Sequence, residues 1–278
     1  MIHVENLTFG YSRKKLLYNN LTLTLEQGKI YGLLGKNGAG KSTFLKNICG
    51  LLFPVGGKIS VFGAEPRKRL PSFMKNIFLI PEEVYVPAVS LNRYVKIYSP
   101  FYPLFNQDQF LEYLNDFEVE VDSQLKSLSF GQQKKFIIAF ALACNTGLLL
   151  LDEPTNGLDI PSKAQFRRLI ASVMNDERLI LISTHQTRDL ENLIDSILII
   201  DNGHLLLNAS MIEISHKLDF KTLRELPENE QVLFSEPAFG GYAVVLENQH
   251  EAANQVNLEH LFNAVAQKPE QIKKIFLS

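Results

Sequence analysis

Cysteine is scarce in this chain. Cys49 and Cys144 are the two present, and both sit in apolar runs. That pattern excludes a disulfide framework and reads as two buried thiols. An excess of charge of one sign is missing as well: 28 Lys and Arg stand against 30 Asp and Glu, a net of −2. No general electrostatic pull toward nucleic acid follows from such a balance, and nucleic acid is not expected as a partner. Long hydrophobic runs are also lacking. The longest helical-looking one, residues 136–144, falls far short of the ~18 to 20 residues of a membrane span. The start, Met1-Ile2-His3-Val4-Glu5, has neither the basic nor the apolar segment of a secretion signal. The expectation is a soluble, cytoplasmic protein whose membrane role, if any, runs through a partner. Internal repeats and low-complexity linkers are absent from the pattern. What remains is a chain of 278 residues, 46% hydrophobic, which suits one large folded domain with small additions.

One stretch organises that chain: Gly35-Lys36-Asn37-Gly38-Ala39-Gly40-Lys41-Ser42. It follows an apolar, strand-like run and opens a helix-like one, the context that G-x-x-x-x-G-K-[ST] requires. The physical reason is charge. A triphosphate needs backbone N–H donors that converge, and glycines let the loop curl to present them. The start of the helix adds the positive end of its dipole. Lys41 is placed for the β- and γ-phosphates, Ser42 for Mg²⁺, and Thr43 for a neighbouring phosphate.

Upstream, residues 2–9 and 21–25 alternate apolar and polar, which predicts a small antiparallel sheet beside the main one. Tyr11, on the loop between them, either stacks on a nucleotide base or packs as a turn aromatic. Downstream, residues 77–80 read as a buried strand stopped by Pro81. Glu82 and Glu83 come directly after it. Either they are solvated loop acids or they face a metal or water at the strand end, where α/β folds place ligands. Residues 91–128 change character, with Tyr94, Tyr98, Phe101, Tyr102, Phe105, Phe110, Tyr113 and Phe117. Phe110, Leu111, Leu114 and Phe117 recur at helical spacing, so this is a helical insertion whose aromatics are mostly core.

Leu128-Ser129-Phe130-Gly131-Gln132 follows, then the wholly apolar 136–144. Ser129 with Gln132 three residues on is a helix-start capping box, and the same geometry makes an anion site. Leu148-Leu149-Leu150-Leu151 is a buried strand ending in Asp152 and Glu153. Asp152 is placed to hold Mg²⁺ and Glu153 to orient or deprotonate an attacking water. Leu179-Ile180-Leu181-Ile182 is another buried strand, and His185 lies at its ligand edge. Residues 197–207 read as a hairpin about Asn202-Gly203. Beyond Ala209 come two strands around Gly240-Gly241 and two helices, a small α+β appendage without a catalytic cluster. Truncation there is expected to leave the nucleotide site folded.

Taken together, about residues 1–210 resemble the ATP-binding subunits of bacterial ABC transporters. Tyr11 resembles the A-loop aromatic and Gly35 to Ser42 the Walker A loop. The 128–132 stretch resembles the LSGGQ signature, with Phe130 for its first glycine. Asp152 and Glu153 resemble Walker B and its catalytic glutamate, Asp159 the D-loop acid and His185 the H-loop. Glu82 falls on the Q-loop position, where most members carry glutamine. The resemblance implies an α/β P-loop NTPase core with a mostly parallel sheet, an N-terminal antiparallel subdomain and a helical insertion at about 88–145. Residues 211–278 stand apart as the appendage. It implies ATP and Mg²⁺ as ligands, with Lys41, Glu153 and His185 as catalytic residues and Ser42, Asp152 and Glu82 about the metal. Gly35, Lys36, Asn37, Gly38, Ala39, Gly40 and Thr43 hold the nucleotide, and Ser129, Gly131, Gln132 and Asp159 complete the site of a homodimeric or heterodimeric neighbour. A separate integral-membrane permease, on whose cytoplasmic face the subunit sits, is the implied partner, and export the implied direction. A nucleoside kinase or GTPase does not need the 128–132 stretch, the acidic pair and His185 in this order. Translation-factor relatives resemble two such cassettes in one chain, and DNA-repair relatives carry a long coiled coil where this insertion is short and without heptads. A soluble assembly ATPase of the iron–sulfur scaffold kind is the other reading.

Overall fold

The computed structural model describes residues 1–277 except 13–14, 122, 228–231 and 250–252. The first half contains β1 (Ile2–Phe9), β2 (Tyr18–Leu25), β3 (Lys29–Leu34), α1 (Lys41–Ile48), β4 (Gly56–Val61), α2 (Pro71–Met74), β5 (Ile77–Ile80), α3 (Leu91–Tyr98), α4 (Gln107–Asp116) and α5 (Phe130–Ala143). Then come β6 (Leu148–Asp152), α6 (Ile160–Ser172), β7 (Leu179–Thr184), β8 (Ser196–Asp201) and β9 (His204–Ser210). The last part holds α7 (Met211–Lys217), β10 (Leu218–Leu223), β11 (Val232–Ala238), β12 (Gly241–Glu247), α8 (Leu258–Gln267) and α9 (Pro269–Leu277).

The main sheet runs in the order β5-β6-β7-β3-β8-β9. Its first five strands are parallel, and β9 closes the edge antiparallel to β8. A strand covered on both faces must be apolar throughout, and every residue of β6 and β7 is buried. Alternation then sends successive side chains to opposite cores. Leu149, Leu151, Ile180 and Ile182 enter one, and Leu148, Leu150, Leu179 and Leu181 the other.

The second of these cores lies against α1 and the antiparallel sheet β2-β1-β4. Ile2 and Val4 point into it while His3 and Glu5 stay exposed, as the alternation of the sequence predicts. The first core is built on residues 136–143 of α5, which are apolar on all sides and therefore enclosed. Around its Phe140 stand the rings of Phe78, Tyr94, Tyr102, Phe105 and Phe110, with centroids 5.2 to 6.3 Å away. The insertion's aromatics are thus mostly core. Leu111 departs from the expectation: it is 39% exposed, while Phe110, Leu114 and Phe117 are buried. The buried stripe of α4 uses positions 110, 113 and 114, continued by Phe117 at the C-cap, and Leu111 falls at its edge.

The C-terminal region has more regular structure than the sequence showed. To the two strands about Gly240-Gly241 it adds α7 and β10, giving the antiparallel order β10-β12-β11. Most of β10 is only half-buried, so its pattern is weak in the sequence. This region also covers the main sheet. Helix α8 reaches β8, β9 and the turn 187–189, and Leu258, Leu261, Ala264 and Val265 share the core of Leu149 and Ile197. We therefore expect Leu261→Ala to destabilise the whole chain by about 2–5 kcal/mol. Chemical denaturation checks this. A single transition shifted to lower denaturant is the expected result, and two separated transitions would show an appendage that folds by itself.

Candidate nucleotide site

Strand β3 delivers the glycine loop, and α1 begins at its end. Gly38 and Gly40 adopt φ of 82° and 107°, the left-handed region that glycine enters at no steric cost. A Cβ on Gly38 would meet nothing within 4 Å, so that side of the loop faces open space. A Cβ on Gly40 would come within 2.5 Å of the Tyr18 hydroxyl. Tyr18 is fully buried on β2 and donates to the Gly40 carbonyl, so the small sheet fixes the loop. Lys41 is 7% exposed; its Nζ donates to the Gly35 carbonyl at 2.8 Å and lies 3.8 Å from Glu153 Oε1.

The parallel register of β6 and β7 pairs Asp152 with Ser183. That places the acidic pair beside the end of β7. Ser183 Oγ donates to Asp152 Oδ1 at 2.5 Å. Thr184 Oγ1 donates to Glu153 Oε2 at 3.0 Å, and His185 Nδ1 lies 2.9 Å from Oε1. Glu153 itself has φ 46°, a left-handed conformation that costs a non-glycine residue about 1–3 kcal/mol. Its N–H donates to the Ser183 carbonyl at 3.0 Å, which helps hold it there. The carboxylate is thereby aimed at Lys41 rather than along the strand.

The glycine loop, Lys41, Glu153 and His185 face one cleft of about 610 Å³, within the ~300–1,000 Å³ usual for small-molecule sites, while Asp152 is buried and does not line it. Asn37, Gly38, Gly40, Lys41, Ser42, Thr43, Glu82, Glu153 and His185 line it, with Tyr11 at its rim. Tyr11 is 71% exposed, edge-on to Phe9, and its hydroxyl lies 2.9 Å from Thr43 Oγ1. Glu82 also turns inward, its Oε1 accepting from Asn156 Nδ2 at 3.2 Å. Lys36 and Ala39 shape the loop: the Ala39 N–H donates to the Lys36 carbonyl at 3.0 Å.

Gly35, Lys36, Ala39 and Asp152 adjoin the cleft in sequence without lining it, and four further expected residues lie elsewhere. Ser129 and Gln132 form the capping box of α5, each side chain accepting from the other's N–H at 3.3 Å. Gly131 packs on the loop after Glu153, where a Cβ would come within 2.9 Å of the Gly157 carbonyl. Asp159 caps α6, and hydrogen bonds from Ser162 hold its carboxyl below the usual range. None of the four lines the cleft.

Several residues at the site escape sequence reading. Gln186 Nε2 donates to Asn156 Oδ1 at 2.9 Å, and Thr155 Oγ1 and Lys163 Nζ converge on Asp189 Oδ2 at 2.6 and 2.8 Å. Lys134 is wholly buried, and desolvation pushes its ammonium down to about 8 against the pull of the Glu82, Glu153 and Asp152 carboxylates. Polar loop residues carry no periodicity, so only the fold reveals them. For Lys134 the one signal was a pair of lysines placed directly ahead of the all-apolar run 136–144.

A glycine loop at a helix start, a buried lysine and an acidic pair at neighbouring strand ends define a P-loop nucleoside triphosphatase. The family model for ABC transporters matches residues 18–156. The bacitracin transport ATP-binding protein BcrA of Bacillus licheniformis is 32% identical over 90% of this chain and 79% of its own length. An overlap that long extends into the C-terminal region. The Nod factor export ATP-binding protein I of Cupriavidus pinatubonensis is 30% identical over 68% of this chain and 60% of its own. A solved ATP-binding subunit of an ABC transporter superimposes with a TM-score of 0.70 at 26% identity, covering 77% of this chain and 91% of that one. The chain belongs to the ABC transporter family. It is an ATP-binding, ATP-hydrolysing subunit of the kind that powers a membrane permease. Among the described residues no helix is long and apolar enough to cross a membrane.

Proposed function

We propose that two copies of this subunit, or one copy and a similar chain, close head-to-tail over two ATP molecules and drive export through a separate permease. The observation that carries the reading is the division of the site. Lys41, Ser42, Glu153 and His185 share one cleft, while Ser129 and Gly131 sit on the surface outside it. A second copy offering its capped α5 start would add an anion-binding helix terminus to the γ-phosphate. Asp159, exposed on the adjoining loop, is placed to cross the same interface.

Within each cleft the roles follow from position. The glycine loop and Lys41 hold the phosphates, and Tyr11 at the rim stacks on the base. Mg²⁺ suits the site, because it keeps most of its waters and takes only one or two protein ligands. Ser42 and Asp152, with Glu82 nearby, are the residues that would hold it, and when bound it would supply positive charge beside the phosphates. Glu153 accepts the proton of the attacking water, and His185, held against its Oε1, orients toward the γ-phosphate. Residues 1–210 form the ATP-binding domain, with the helical insertion at about 88–145. Residues 211–278 form an accessory region packed on the same sheet. On the insertion, Ile97, Tyr98 and Phe101 are exposed at 40%, 36% and 66%, an apolar face for the permease at the inner side of the membrane. The relative named for Nod factor export supports the outward direction.

The test mixes two inactive chains. Lys41→Ala and Gly131→Asp should each abolish turnover. Combined, they should recover part of it, since one of the two sites in a mixed dimer is intact. No recovery in a mixture shown to dimerise would count against shared sites. Co-purification with a permease, and ATP-driven substrate uptake by inside-out vesicles, check the partner and the direction.

A further inference from the structure

Lys134 lies one turn into α5, beyond the 128–132 stretch, and has no exposed surface. Its Nζ donates to three carbonyls, at 2.6 Å to Glu153, 3.1 Å to Asn156 and 3.3 Å to Glu82. An ammonium has three N–H donors, so its capacity is used in full. None of the three acceptors is a carboxylate. A buried charge is costly even with the Glu82, Glu153 and Asp152 carboxylates nearby and the Phe130 ring centroid 5.8 Å from Nζ, so a packing role alone would be met more cheaply by an apolar chain. The acceptors belong to two segments, since Glu153 and Asn156 share one turn in which the Asn156 N–H donates to the Glu153 carbonyl at 3.2 Å. Glu82 lies two residues past β5, and Glu153 directly follows β6 at the start of the loop that carries Asn156, Gly157 and Asp159. Side chains link the same segments, through Asn156 to Glu82 and Gln186 to Asn156.

From this geometry we infer that Lys134 is a positioning residue for hydrolysis, a tether that sets the aim of Glu153 by gripping its carbonyl from the α5 helix. The physical need is specific. Glu153 is held at φ 46°, and its peptide must be restrained on both sides to stay there. The Ser183 carbonyl restrains the N–H side, and Lys134 at 2.6 Å, with the Asn156 N–H at 3.2 Å, restrains the carbonyl side. Because α5 begins at Ser129, a push on its start at the dimer face travels along one rigid helix to the Glu153 backbone. The same tether holds Asn156, two residues before Leu158 and three before Asp159, so both ends of the interface are fixed to the base. Lys134 touches neither phosphate nor water; it acts through Glu153. The inference rests on the proposed role of Glu153 as base.

Lys134→Met keeps the length of the side chain and removes the three donors. The expected result is a kcat at least about tenfold lower, with ATP affinity within about threefold of the parent. The decisive measurement repeats the substitution in a Glu153→Gln background, by single-turnover phosphate release. If Lys134 acts through Glu153, the double variant should be within about twofold of Glu153→Gln alone, since residues acting as a unit are non-additive. An unchanged kcat, a loss confined to ATP affinity, or an undiminished second loss in the Glu153→Gln background would each overturn the inference. Should Lys134→Met fail to fold, Lys134→Gln, which keeps two N–H donors without charge, is held to the same cycle. Glu153→Gln alone separates the two claims. Normal turnover in that variant removes the base, whereas impaired turnover there with a normal Lys134→Met removes only the tether.

Discussion

Glu153→Gln is expected to lower phosphate release by at least about 100-fold while leaving ATP bound, since loss of a positioned base costs about 10²–10⁴ in rate. The substitution keeps the shape of the side chain and its capacity to accept from Thr184. It removes the basicity that the attacking water needs. It also removes a negative charge 3.8 Å from Lys41, leaving that ammonium freer for phosphate. Lys41, Ser42 and Asp152 are untouched, so nucleotide affinity should survive. With ATP held and not consumed, mass action favours the state that binds it in both half-sites. Size-exclusion chromatography with ATP and Mg²⁺ should therefore show more dimer than the parent chain does. Normal hydrolysis would remove Glu153 from its role. A variant that binds ATP and stays monomeric would leave the base standing and count against the shared sites.

The second large effect belongs to Lys41→Ala. Lys41 is nearly enclosed, donating to the Gly35 carbonyl and facing Glu153 across the cleft. Its ammonium, at the start of α1, is placed to meet the phosphates within this cleft, which Lys15 also lines. Hydrogen bonds to charged partners contribute about 1.5–3 kcal/mol each, and losing those to two phosphates should weaken ATP binding by more than about tenfold. Hydrolysis should fall below detection, because the lost charge also stabilised the transferring phosphoryl group. Titration calorimetry with a non-hydrolysable ATP analogue reads the affinity. Circular dichroism confirms that the loop's collapse is local, since Phe44, Leu45 and Ile48 of α1 stay packed beneath the sheet. Turnover like that of the parent would dismiss the glycine loop as the phosphate site.

Much of this protein was determined by local sequence chemistry. The loop 35–42 follows a strand and opens a helix, and the glycines needed for left-handed backbone announce the turn. Runs such as 148–152 and 179–184 are apolar at almost every position because both faces of a central parallel strand are covered, and that needs no neighbour to be named. The capping box of Ser129 and Gln132 is contained within four residues.

Long-range placement decided the rest. The left-handed φ of Glu153 leaves no mark in a Leu-Asp-Glu-Pro sequence; it is imposed by the Ser183 carbonyl, the Thr184 and His185 donors and the Lys134 tether, all at least 19 residues away. Leu111 looked like core beside Phe110 because the sequence shows spacing along a helix and not which edge of the stripe meets a partner. The C-terminal region looked separable because no motif lies in it, yet hydrophobic burial has no motif: Leu261 and Ile197 meet through apolar surface alone. Lys134 shows the limit most sharply. In the sequence it is one of two adjacent lysines, and a lysine is expected in water. Only when the segments after β5 and β6 are brought to the same helix turn do their three carbonyls make a site where a buried ammonium is satisfied.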